Sequence, residues 1–123
     1  GYKTAPKKII FGGPMMGFAM FDLNVPITKT SSSLLAMTKD EVAENEPSPC
    51  IRCGMCINAC PGNLVPQKMA QAAMNNDYDT FVALNGMECY ECGSCTYVCP
   101  AGRRLTQAFK QTRRAILDAR KKN

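Results

Sequence analysis

Residues 50–62 read CIRCGMCINACPG, and residues 89–101 read CYECGSCTYVCPA. Both follow one spacing, C-x2-C-x2-C-x3-C-P: Cys50, Cys53, Cys56 and Cys60-Pro61, then Cys89, Cys92, Cys95 and Cys99-Pro100. The 8 cysteines of the 123-residue chain all fall in these two stretches, and the chain has no histidine. A cysteine set this dense, with none left over, predicts either a sulfur-ligated metal centre or a disulfide framework.

Spacing weighs the alternatives. Disulfides suit exported proteins, but GYKTAPKK at the start is followed only by a short apolar IIF, which is not a secretory signal pattern. Structural zinc takes C-x2-C pairs, often with histidine, and does not require a C-x2-C-x2-C triple with a distant Cys-Pro. The triple-plus-one run is the bacterial two-cluster ferredoxin pattern, in which three close cysteines hold one [4Fe–4S] cube and the fourth holds the other. Two intervening residues let a tight loop aim successive thiolates at three irons of one cube. The fourth sulfur, further along, points to the partner cube. Cluster one is therefore expected on Cys50, Cys53, Cys56 and Cys99, and cluster two on Cys89, Cys92, Cys95 and Cys60. This crossing makes folding of the region depend on iron.

Inside each loop, Gly54 and Gly93 hold the same slot. They either let backbone N–H groups approach cluster sulfurs or simply meet the needs of a turn. Position three differs, Arg52 against Glu91. A cation favours the more negative reduced cluster and an anion disfavours it, so the loops alone predict the higher potential at cluster one. Pro61 and Pro100 are expected to end the loops and screen the clusters.

Away from the cysteines, residues 1–37 read as short β segments. Strand candidates are Lys7–Phe11, Val25–Thr28 and Leu34–Met37, with Gly12-Gly13-Pro14 as a breaker. GGPMMG at 12–17 has neither the G-x-G-x-x-G spacing nor the G-K-[ST] ending of a phosphate loop, and reads as a turn with core methionines. Residues 38–49 read as a short helix and linker: Thr38 and Glu41 fit a capping box, and Pro47 and Pro49 forbid continued helix. From 50 to 123 the chain reads helical. Pro66 opens a helix with Met69, Ala70, Ala73 and Met74 on one face. Tyr78–Leu84 forms another, stopped at Asn85-Gly86. In the last helix Leu105, Ala108, Phe109, Thr112, Ala115, Ile116 and Ala119 share a face, with most of the arginines off it. The fold class expected is mainly α, an α-helical ferredoxin-like domain with two [4Fe–4S] clusters, preceded by a β-rich remnant of an upstream domain. The absence of an initial Met fits a piece of a longer polypeptide.

The formal charge is +5, from 15 Lys plus Arg against 10 Asp plus Glu. Loaded clusters with thiolate ligands bring negative charge, so the basic last helix does not by itself imply nucleic acid, and none is expected as a partner. No apolar run approaches the roughly 20 residues of a membrane span. No catalytic constellation appears.

Short two-cluster ferredoxins are β-rich, whereas here a helical spacer of 28 residues separates Cys60 from Cys89. With GGPMMG at 12–17, VPITKTSSSLLAM at 25–37, CIRCGMCINACPGNLVPQ at 50–67 and MECYECGSCTYVCPAG at 87–102, the chain resembles the C-terminal dicluster part of the C subunit of the Rnf electron-transport complex. The resemblance implies an electron relay within a membrane-associated ferredoxin:NAD oxidoreductase coupled to ion translocation. It implies a peripheral place on the cytoplasmic face of the bacterial membrane. It implies the other complex subunits as partners, with ferredoxin an indirect electron partner. FMN and NAD would be bound only by an upstream domain not among these residues. An iron–sulfur subunit of another reductase, of heterodisulfide or fumarate reductase type, and a structural zinc module are the alternatives.

Overall fold

A computed structural model describes residues 1–14 and 17–123, so Met15 and Met16, two of the expected core methionines, lie outside the described residues. The chain forms two compact units, Gly1–Glu46 and Pro47–Asn123.

The first unit is a three-stranded antiparallel sheet in the order β2-β1-β3: β1 Lys8–Phe11, β2 Phe18–Met20 and β3 Leu34–Met37. Ile9 and Ile10, the β-branched pair of β1, are its buried side chains among the described residues. β1 pairs on both edges, Ile10 facing Ala19 on one side and Leu35 on the other. Val25–Thr28 is not a strand. Pro26 cannot donate to a ladder, and Thr28 instead takes a turn, its N–H donating to Ser31 Oγ at 3.1 Å. The strand that takes that place, Phe18–Met20, follows directly on Gly17, whose N–H donates to the Gly13 carbonyl at 2.9 Å.

Helix α1, Glu41–Glu44, is capped by Asp40 rather than Thr38: the Asp40 carboxylate accepts from Ala43 N at 3.3 Å. An ionised carboxylate is the stronger acceptor at a helix start. Asp40 also accepts from Lys8 Nζ at 3.0 Å, tying β1 to α1, and that ammonium is the main reason its carboxyl sits below the ordinary range.

The second unit is helical: α2 Met55–Asn58, α3 Pro66–Met74, α4 Tyr78–Ala83, α5 Ser94–Val98 and α6 Leu105–Lys122, with a 3-10 turn at Gly86–Glu88. Pro66 occupies the first turn of α3, where its missing N–H has no intrahelical role. Met69, Ala70, Ala72 and Ala73 are buried, and Met74 is 67% exposed, so the face turns one position earlier than the sequence pattern suggests. The last helix buries Leu105, Phe109, Thr112 and Ile116 on one stripe, with Ala119 exposed as the helix runs past the core. Phe81 of α4 and Phe109 of α6 meet at the centre, ring centroids 6.1 Å apart and tilted by 48°. With Met69 they are the largest fully buried side chains. No helix among the described residues is long and apolar enough to cross a membrane.

Between α3 and α4 the chain reverses at Asn76, in left-handed backbone at φ 54°, and Asp77 caps α4 by accepting from Thr80 N at 3.1 Å. Hydrogen bonds from Thr80 hold the Asp77 carboxyl below its ordinary range. A depressed carboxyl contributes stability above its unfolded pKa and loses it as pH falls through the folded value. Below about pH 4 the unfolding midpoint should therefore fall with a component that Asp77→Asn, still a good cap, removes. Thermal melts of the two proteins from pH 6 to pH 2 check this.

Candidate metal centre

Both cysteine loops use one backbone path. Arg52 and Glu91 sit in left-handed backbone, each at φ 56°, and Gly54 and Gly93 follow two residues later at φ 77° and 84°. Each glycine then starts a short helix, α2 or α5. A Cβ on Gly54 or Gly93 would meet nothing within 4 Å, so these glycines answer to backbone conformation, not to crowding. Left-handed residues alternating along a loop turn successive N–H groups inward, which makes an anion-binding concavity of the kind found at iron–sulfur sites. The N–H of Arg52 donates to Cys50 Sγ at 3.4 Å, and that of Glu91 to Cys89 Sγ at 3.4 Å.

Among the described residues, two cavities around these loops are each lined by four cysteines. One is lined by Cys50, Cys53, Cys56 and Cys99, with Pro100 and Leu105. The other is lined by Cys60, Cys89, Cys92 and Cys95, with Pro61, Met69 and Phe109. Three cysteines in each come from one loop and the fourth from the other. Ser48 explains part of the crossing. Its N–H donates to the Ala101 carbonyl at 2.9 Å and its hydroxyl to the same oxygen at 3.3 Å, stitching the approach to Cys50 onto the exit from Cys99. The segment before Cys50 reads in the sequence only as a proline linker.

All eight thiols are free of disulfides. Cys50, Cys53 and Cys92 are exposed, Cys95 is buried, and the other four are half-buried. Burial pushes the Cys56 and Cys89 thiols up, and in both the charge of nearby Cys95 adds to the rise. Cys92 is drawn down by its hydrogen bond with Ser94. Among the described residues no three His, Cys, Asp or Glu side chains converge tightly enough to hold one ion. Four thiols ringing a cavity, with inward N–H groups and apolar walls, fit the cube.

The loop charges are less different than their sequence suggests. Arg113 on α6 reaches Glu91 and pairs with it, Nη1 donating to Oε1, both side chains about three-quarters buried. Glu91 therefore does not face its cavity as a lone anion. The Nε of Arg113 is buried without a hydrogen-bond partner. Thr106 lines this cavity, and Arg113 and Ser94 contact its lining residues Glu91 and Cys92; none of the three carries a role in a reading of the sequence alone. Ser94 differs from Met55 in the matching slot of the first loop, and Arg113 lies four residues after buried Phe109, at the edge of the apolar stripe; those are the signals that mark them.

Residues 49–103 match the 4Fe-4S dicluster domain family. Over 122 residues, 99% of the chain, it is 40% identical to the C subunit of the Na(+)-translocating ferredoxin:NAD(+) oxidoreductase complex of Acetobacterium woodii, covering 28% of that protein. It is 51% identical over 70 residues, 57% of the chain, to the C subunit of the proton-translocating ferredoxin:NAD(+) oxidoreductase complex of Clostridium ljungdahlii, covering 15% of it. It is 44% identical over 80 residues, 64% of the chain, to the C subunit of the ion-translocating oxidoreductase complex of Pseudomonas aeruginosa, covering 10% of it. The chain thus spans less than a third of the length of each of these relatives.

Proposed function

The chain is homologous to the C subunits of ion-translocating ferredoxin:NAD(+) oxidoreductase complexes, and from that premise we propose that residues 50–123 are its electron relay, holding two [4Fe–4S] clusters. The observation that carries this reading is the crossed lining of the two cavities, three cysteines from one loop and the fourth from the other. Cys50, Cys53, Cys56 and Cys99 would hold one cluster, and Cys89, Cys92, Cys95 and Cys60 the other. Bound there, such clusters supply reversible one-electron storage.

The protein's own work is positional. The left-handed residues aim N–H groups at the thiolates, Pro61 and Pro100 wall the cavities, and α3 and α6 keep water from their inner sides. The exposed cysteines Cys50, Cys53 and Cys92 mark where an electron partner can approach each site, because electron transfer needs proximity rather than a substrate pocket. The relay is proposed to serve an Rnf-type complex on the cytoplasmic face of the membrane, among the other complex subunits. Ferredoxin is the indirect electron source or sink, and the FMN and NAD sites lie on other parts of the protein.

Anaerobic reconstitution tests the reading. About eight irons and eight sulfides per chain, brown absorption that bleaches with dithionite, and electron paramagnetic resonance from two reduced clusters are expected. A colourless protein holding two zinc ions would overturn it.

A further inference from the structure

Resting on the two-cluster reading, we propose that Arg113, Ser94 and Thr106 make the centre held by Cys60, Cys89, Cys92 and Cys95 the higher-potential one of the pair, so that a single shared electron rests there.

The two loops share one backbone path and the same N–H to sulfur contact at 3.4 Å. The differences between them then lie in side chains, exposure and the backbone at the loop ends. At the second cavity, Ser94 Oγ lies 3.4 Å from Cys92 Sγ. The matching residue of the first loop is Met55, which has no hydrogen to donate. Thr106 Oγ1 lies 3.7 Å from Cys95 Sγ and 2.8 Å from Thr96 Oγ1, while Thr96 Oγ1 accepts the Thr106 N–H at 2.9 Å. Once Cys95 is a thiolate it can only accept. The Thr106 hydroxyl then donates to it, and Thr96 donates to Thr106. The third group is Arg113, which pairs with Glu91, a residue of this cavity's wall, and whose buried Nε–H has no hydrogen-bond partner among the described residues.

Reduction adds one electron from an external one-electron donor, with no bond formed or broken, and leaves the centre one charge more negative. Hydroxyl donors favour the more negative state and raise the potential, and Arg113 contributes by cancelling the opposing charge of Glu91. Three features oppose them: Glu91, the burial of Cys95, and the cations Arg52 and Arg103 that line the first cavity. Arg52 is exposed and screened by solvent, while Arg103 turns its Nη2 to Met74 Sδ. Glu91 is an anion, but its charge is matched by Arg113. Cys95 is buried while Cys50 and Cys53 are exposed, and dry surroundings disfavour added charge. The same low dielectric strengthens donors and charges in direct contact, so the contacts decide the order. This reverses the order that Arg52 and Glu91 alone predict.

The test is a redox titration of the reconstituted full chain followed by electron paramagnetic resonance. Two one-electron midpoints are expected. Arg113→Gln should lower the upper midpoint by about tenfold in redox equilibrium constant, ~59 mV for one electron, and leave the lower midpoint in place. Ser94→Ala and Thr106→Val should lower the same midpoint by less, and Met55→Ser should raise the lower one. Arg113→Lys, which keeps the charge without the Nε–H, should fall between wild type and Arg113→Gln. If the lower midpoint moves in Arg113→Gln and Ser94→Ala, or neither moves, the proposal fails. Should Arg113→Gln lose metal, Ser94→Ala and Met55→Ser decide alone. Iron and sulfide are counted in the same samples. A low count in the wild type defeats the two-cluster reading, whereas full counts with unmoved midpoints defeat only this inference.

Discussion

Cys60→Ala is expected to remove the centre on the opposite loop and spare its own. Iron should fall from about eight to about four per chain. The surviving signal should titrate at the lower midpoint, because Cys60 lines the cavity of Cys89, Cys92 and Cys95. Cys99→Ala should do the reverse and keep the upper midpoint. The physical basis is local. Cys60 leaves α2 through the half-buried turn Ala59-Cys60, and Pro61, which follows it, walls the second cavity rather than the first. Stability should drop with the metal. The core of this unit has few large side chains, Phe81, Phe109 and Met69 chief among them, with Ala70, Ala72 and Ala73 filling around them. A core so small is expected to rely on metal cross-links. The variant should therefore melt well below wild type, and chelation of the wild type should unfold residues 47–123 while leaving the strand pairing of residues 1–46 less affected. Iron analysis, paramagnetic resonance and circular dichroism on the same samples read all three. A Cys60→Ala protein that keeps the upper midpoint and loses the lower one, with Ser94→Ala added to it still shifting the midpoint that remains, would show that the fourth ligand stays with its own loop.

Much of this was legible because repetition and periodicity are local signals. The spacing of eight cysteines marks both loops, and the 3.6-residue period marks α3 and α6. What stayed hidden depended on neighbours distant in sequence. Val25–Thr28 has the composition of a strand, but the edge of β1 is taken by Phe18–Met20. Thr38 and Glu41 match a capping box, but Asp40 is drawn into place by Lys8, 32 residues away. Glu91 reads as an exposed anion until α6 brings Arg113 across 22 residues to meet it. A loop charge taken in isolation therefore weighs more in the sequence than it does in the folded site.

Gly86→Ala should cost about 3 kcal/mol, at the upper end for overpacking, though nothing in the local sequence marks the site as a close approach. Asn85-Gly86 reads as a helix stop in which glycine takes the left-handed position. Asn85 takes it instead, at φ 57°. Gly86 is buried, and its bareness serves the packing above it, since a Cβ there would lie 2.3, 2.5 and 2.6 Å from three ring carbons of Phe81. The ring cannot retreat, because Phe81 is 0% exposed and rests against Phe109. At about 4–8 °C per kcal/mol for a unit of this size, the melting midpoint should fall by roughly 12 °C or more. A second substitution separates this clash from a loss of glycine flexibility. Phe81→Leu alone leaves a cavity and destabilises, but it also vacates the space that a Cβ on Gly86 needs. The double variant Gly86→Ala, Phe81→Leu should then be more stable than the sum of the two losses predicts, with a coupling of about 1 kcal/mol or more. Strictly additive losses would show that Gly86 is required for its backbone and not for the ring above it.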